Sequence, residues 1–156
     1  MLYAGGTMRV ISHTIHYGIG ELRSMIVKKP RGGEYEPLLG PTGRALWEDD
    51  SAELPGERFA LDPDTGAEGS NYGRVRHGGS ILRQSPDEGK ASDWLHVSIP
   101  GHGDVNVWRV IAGAWCERRD GATQVHHINN NGFDNRPSNL LWVSQAEHRA
   151  IEQGAF

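Results

Sequence analysis

The chain has 156 residues, 37% of them hydrophobic, with a mean hydropathy of -0.57, which suits one modest domain with arms. Its most apolar run, Val107 to Cys116, is broken by Arg109 and is too short to cross a bilayer, and a single cysteine, Cys116, excludes an internal disulfide and any zinc site built on cysteine pairs. The net charge of -4 is uneven: between Glu34 and Glu68 ten acids face two arginines, a net of -8, whereas from Asn71 onward nine acids balance nine bases, so charge neither requires nor forbids a nucleic-acid partner.

No basic start followed by an apolar stretch and a small-residue cleavage site opens the chain, so a cytoplasmic location with no membrane partner is expected. Residues 1–33 show no sustained hydrophobic period, and Met8 and Met25 are alternative start positions. Residues 34–69 are rich in Gly, Pro and acid and read as a mostly irregular linker, the alternative being a few turns packed on the domain. Residues 1–69 together are thus expected to be an irregular acidic arm. Order is expected from about Asn71. Tyr72–Arg76 and Ser80–Gln84 are β-prone around a Gly-Gly turn, and Leu95, Val97 and Ile99 alternate at the strand period. Gly101 to Asp104 reads as a turn. The period then changes: Val107, Val110, Ile111, Ala114 and Trp115 line one face of a helix, which Gly121 is expected to end. On that face Trp108 and Trp115 read as core rather than as base-stacking residues.

After the helix, Thr123–Ile128 reads as a strand, Asn129–Asn139 as a loop of Asn, Gly, Asp and Pro, and Leu140–Val143 as a second strand. Ser144-Gln-Ala-Glu147 has the form of a capping box that opens a helix through about Gln153. His126 and His127 fall on the first strand, Asn139 at the end of the loop and His148 in the first turn of the helix. Any one of these residues alone would carry little. Their order over strand, loop, strand and capped helix is specific, with Leu141 and Trp142 as core.

This run, Val-His-His-Ile-Asn-Asn-Asn-Gly-Phe-Asp-Asn-Arg-Pro-Ser-Asn-Leu-Leu-Trp-Val-Ser-Gln-Ala-Glu-His, resembles the ββα-metal core of HNH endonucleases, in the variant common in phage and intron-encoded enzymes. Upstream, Ser70-Asn-Tyr-Gly-Arg-Val-Arg76 is similar to the opening of the small β-rich module that often precedes such cores in homing-type nucleases. Val107-Trp-Arg-Val-Ile-Ala112 is similar to the helix joining module to core, with Trp108 where that family usually has His. The resemblance implies an α+β protein in three parts: an arm over 1–69, a β-rich DNA-binding-type module over 70–106, and a connecting helix with the HNH core over 107–156. It implies metal-dependent hydrolysis of phosphodiester bonds in DNA, leaving 5′-phosphate and 3′-hydroxyl ends. The residue roles it implies are His126 and His148 as ligands of a divalent ion, His127 as general base, Asn139 as the brace of the loop that orients His127, and Asn135 as a turn-stabilising residue. The implied ion is Mg2+, with Mn2+, Zn2+ or Ni2+ as alternatives. Glu152, one turn beyond His148, reads as a solvated residue before a further ligand.

A neutral imidazole suits base chemistry near neutral pH, so activity is expected to fall below about pH 6.5, where free histidine becomes charged. Adjacent residues on a strand point to opposite faces, so His126 and His127 are expected to need a local twist or bulge to share one site. Arg74, Arg76 and Arg136, with Arg83, Arg118 and Arg119, are the candidate phosphate contacts. Two rivals remain: a DNA-binding regulator that keeps the fold without the chemistry, and a phage packaging factor that cuts only with terminase proteins. A phage origin would place the protein in the host-cell cytoplasm.

Overall fold

The computed structural model describes residues 9–11, 14–16, 37–86 and 94–154. The fold is mixed α+β, made of small antiparallel sheets and short helices. β1 (Arg9–Ile11) and β2 (Thr14–His16) form a two-stranded antiparallel ribbon where the sequence signals no element. The expectation of an irregular arm over the rest of residues 1–36 lies outside the described residues. β3 (Phe59–Leu61), β4 (Glu68–Ser70), β5 (Val75–His77) and β6 (Ser80–Ile81) pair in sequence order into a four-stranded sheet. β7 (Ser85–Pro86), β8 (Leu95–Ile99) and β9 (Gly103–Asn106) form a three-stranded one. Among the described residues no helix is long and apolar enough to cross a membrane.

α1 (Val107–Trp115) is the hub. Its apolar stripe buries Val107, Val110, Ile111 and Ala112, and both larger sheets and the C-terminal elements pack on it. Close approach to β4 is allowed by Gly69, where a Cβ would lie 2.8 Å from the Ile111 side chain, and Trp115 Nε1 donates to Gly69 O at 2.8 Å. The helix stops at Trp115, with Cys116 as its cap, earlier than expected; Gly121 instead makes a positive-φ turn before the next strand. β8 supplies Leu95, Val97 and Ile99 to the same core, with Ser98 exposed, as its alternation requires. Each such buried aliphatic side chain contributes about 2 kcal/mol of transfer free energy.

The acidic stretch expected to be an irregular linker is folded from residue 37 onward. It provides two strands of the four-stranded sheet and buries Leu46, Leu54 and Ala67. Its acids act as internal acceptors. Asp62 accepts from Thr65 Oγ1 at 2.6 Å and from Asp64 N at 3.2 Å, closing the β3–β4 turn. Asp49 accepts from Ser51 N at 3.0 Å. Glu57 is buried against the Arg74 guanidinium. A composition that looks solvated is here the turn chemistry of a folded segment.

Candidate active site

The C-terminal elements are β10 (Gln124–His127), a loop ending in a 3-10 turn (Pro137–Asn139), β11 (Leu140–Val143) and α2 (Gln145–Glu152). The strands pair antiparallel from Gln124↔Val143 to His127↔Leu140, and all four residues of β11 are buried. Trp142 seals the pair onto α1 by donating from Nε1 to Ala112 O at 3.2 Å. The capping box forms in full: Glu147 N donates to Ser144 Oγ at 3.1 Å, and Ser144 N donates to Glu147 Oε1 at 2.9 Å. Arg119 pairs with the same Glu147 carboxylate, which ties the start of α2 to the segment entering β10. His148 is thereby held in the first turn.

Asparagine and aspartate side chains build the loop. Asn139 Oδ1 accepts from Asn129 N at 2.9 Å, while its Nδ2 donates to Asn129 Oδ1 at 2.9 Å and to Asp134 O at 2.8 Å. Asn131 N and Phe133 N are held by Asx contacts to Asn129 and Asn131, and Asn130 takes the left-handed conformation at φ 58°. Asn139 therefore closes the loop at its two ends but does not touch His127. The side chain that does is Asn135, which the sequence suggested only as a turn residue: its Oδ1 lies 2.7 Å from His127 Nε2.

That contact sets the chemistry of the ring. An amide oxygen only accepts, so Nε2 carries the proton and Nδ1 keeps its lone pair. Nδ1 is buried and has no hydrogen-bond partner among the described residues. The His127 ring packs at 5.2 Å, between centroids, on Trp94, which meets Trp108 edge-on at 6.2 Å. Burial pushes the His127 pKa down to about 4, against the upward pull of the Asn135 hydrogen bond and Asp134. His126 is also pushed down to about 4, by burial first and then by His148 and His127. Both imidazoles are neutral at neutral pH.

Of the twist or bulge expected between His126 and His127, no bulge is present: the four pairs of β10 and β11 run in unbroken register. The two rings consequently meet different neighbours. His126 faces the ring of His148 at 5.8 Å, and His127 faces the loop and Trp94. The His126–His148 pair fits a shared ion. Two imidazoles on one ion with bonds of about 2 Å place their ring centres roughly 5 Å apart. His126 Nε2 is a buried nitrogen without a hydrogen-bond partner among the described residues. His148 Nδ1 lies 2.6 Å from Gln124 Oε1, which puts the proton on Nδ1 and the lone pair on Nε2. No group of three or more His, Cys, Asp or Glu able to hold a metal occurs among the described residues, so water and substrate oxygens would complete the shell. Glu152 is mostly exposed, with Oε1 3.5 Å from His148 Nε2.

Residues 119–150 match the family model described as HNH endonuclease. The matched segment is the one that carries His126, His127, Asn139 and His148. A solved structure of DNA binding and cleavage by the HNH homing endonuclease I-HmuI superposes with a TM-score of 0.50 at 20% identity, over 64% of this chain and 60% of that one. At that identity the likeness is one of fold, and this chain spans about 60% of that protein's length. No curated protein matches the chain.

Of the arginines, Arg74 is corrected as a phosphate contact. It is 1% exposed, and its guanidinium is engaged by the Glu57 carboxylate and by Asp49 O at 2.8 Å and Ser51 O at 2.7 Å. It organises the acidic segment instead. Arg76 pairs with Glu68 at 2.9 Å and lies over the Phe59 ring, and Arg136 pairs with Asp134 at 2.7 Å with its side chain 45% exposed. Arg118 lies over Trp142, and Arg119 is held by Glu147. Beside the first turn of α1, an open cavity of about 310 Å³ is lined by His96, Asp104, Val105, Asn106, Trp108 and Arg109. Trp108 and Trp94 connect its wall to His127. Sequence reasoning missed Trp94, Gln124 and the direct role of Asn135. For Gln124 a signal existed, since residues 124 and 126 of a strand share a face; for Trp94 none did.

Proposed function

We propose that this chain is a DNA endonuclease in which His127 is the general base for phosphodiester hydrolysis. The observation that carries the reading is the His127 tautomer: Nε2 donates its proton to Asn135 Oδ1, which leaves the lone pair on Nδ1, while the preceding residue of the same strand, His126, meets His148 ring to ring. Water gives its proton to Nδ1 as its oxygen bonds to phosphorus. The P–O3′ bond breaks, and O3′ takes a proton from solvent, leaving 3′-hydroxyl and 5′-phosphate ends. His126 and His148 would hold a divalent ion, which would supply charge stabilisation for the reaction. Two imidazoles suit Zn2+ or Ni2+ better than Mg2+, which prefers oxygen ligands. Asn139 and Asp134 keep the loop rigid, so that Asn135 holds the ring. Because Nδ1 is closed from solvent here, attack requires a shift of the side chains packed on it. The groove walled by His96, Trp108 and Arg109 offers a path for the strand being cut, with Arg76 and Arg136 as phosphate contacts once released from their carboxylates.

Supercoiled plasmid incubated with the protein and Zn2+, Ni2+, Mn2+ or Mg2+ in turn, with and without EDTA, tests this. Nicking that EDTA abolishes, with nicks that DNA ligase reseals, is expected. His127→Ala should slow it by about 100-fold or more while DNA retention and helix content stay at wild-type levels. A His127→Ala protein that nicks within a few-fold of wild type would remove His127 as base.

A further inference from the structure

We propose that Gln124 is a positioning residue: its side-chain oxygen fixes the tautomer of His148 so that Nε2 is presented, bare, as a metal donor. The inference rests on the ion-binding role proposed for His126 and His148.

The argument begins with the strand. Alternation places Gln124 and His126 on one face of β10, and that face looks at α2. Both side chains meet His148: His126 ring to ring at 5.8 Å, Gln124 through Oε1 at 2.6 Å from Nδ1. A neutral imidazole carries one proton on either nitrogen, and the hydrogen bond made by one nitrogen decides which. Gln124 Oε1 can only accept, so the proton sits on Nδ1 and the lone pair on Nε2. The competing arrangement would have Nε2–H donate to Glu152. That carboxylate is 3.5 Å away with its side chain 68% exposed, beyond good hydrogen-bond length and screened by water. The 2.6 Å contact wins.

The partner is also rigidly placed. Gln124 lies in a strand paired with Val143, the residue before the cap of α2, and the capping box fixes the turn that carries His148. The tautomer is therefore set before any ion arrives. Histidine ligands commonly donate their second ring N–H to an oxygen, and loss of such a partner weakens binding about 10–100-fold. A plain structural strap between β10 and α2 would use the same hydrogen bond, so the test must separate the two roles.

The measurements use the full chain. Imidazole ¹⁵N spectra of the metal-free protein report which nitrogen of His148 is protonated, and calorimetric titration with Zn2+ reports affinity. Wild type should show the Nδ1–H pattern, and Zn2+ should move the His148 signals. Gln124→Leu should shift the pattern toward Nε2–H and raise the Zn2+ Kd about 10–100-fold; Gln124→Met serves the same purpose if the leucine variant does not fold. Gln124→Glu, whose carboxylate also accepts from Nδ1, should keep the wild-type pattern and bind at least as tightly. A leucine or methionine variant with a lower Tm but unchanged Kd and tautomer would make Gln124 a strap and overturn the proposal while leaving the metal site standing. Wild-type protein whose His148 signals ignore Zn2+ would overturn both.

Discussion

At the scale of single residues, the candidate base is a buried neutral imidazole. Desolvation holds the His127 pKa at about 4, well below the 6.5 of free histidine. A lowered pKa keeps the base deprotonated from pH 6.5 down toward 4, where a solvated histidine would already be charged. The acid limb of the cleavage rate at saturating metal should accordingly lie below pH 6.5, contrary to what the sequence suggests. Trp94 packs on that ring, so Trp94→Ala should admit water, raise the pKa and move the limb up by about one pH unit. Rate profiles of the two proteins from pH 4 to 8 check this. Coincident profiles with a midpoint at 6.5 would mean that burial does not control the base.

At the scale of elements, the short helix α2 depends on its first turn. Ser144→Ala removes the acceptor for Glu147 N and opens the box, at a cost of about 1 kcal/mol. For a domain of this size that corresponds to a fall in Tm of about 4 °C. Zn2+ affinity should fall with it, because His148 follows the cap by four residues. An unchanged melting curve would show that Arg119 and packing alone hold the turn. This helix and its cap were legible in the sequence because four spaced residues, Ser144 to Glu147, specify a local geometry. The same holds for α1, whose apolar period is strong, and for β8, β10 and β11, whose boundaries follow alternation and turn residues. Contacts between distant segments were not legible. Nothing local places Trp94 on His127 or gives Asn135, rather than Asn139, the hydrogen bond to the ring. The loop has several asparagines of similar local propensity, and only the folded path decides which one reaches the strand.

At the scale of the whole molecule, the acidic segment and the C-terminal elements β10, β11 and α2 both pack into one body around α1. Removing the carboxylate from the buried Glu57–Arg74 pair leaves an uncompensated guanidinium among the carbonyls of Asp49 and Ser51. Glu57→Ala should therefore cost about 3–5 kcal/mol. In limited proteolysis, residues 37–69 should be protected in wild type and become the first cleaved in the variant. Early cleavage of wild type in this stretch would restore the linker reading. The β4–β5 turn adds a finer dependence. Gly73, at φ 88°, sits so close to Asn135 that a Cβ there would lie 3.0 Å from its carbonyl carbon and 3.2 Å from its own Cβ. Gln84 Nε2 fastens the same turn by donating to Gly73 O at 2.9 Å. Gly73→Ala should thus lower the cleavage rate more than it lowers affinity for DNA, by displacing Asn135 from a turn some sixty residues upstream, and a kcat unchanged at wild-type Tm would refute it. The consequence concerns transplantation. The loop that carries Asn135 is not a cassette that can be moved onto any neighbouring sheet, because the β4–β5 turn is the surface against which it is moulded. A chimera would inherit the Asn135–His127 contact only if its donor also brought a glycine to that point.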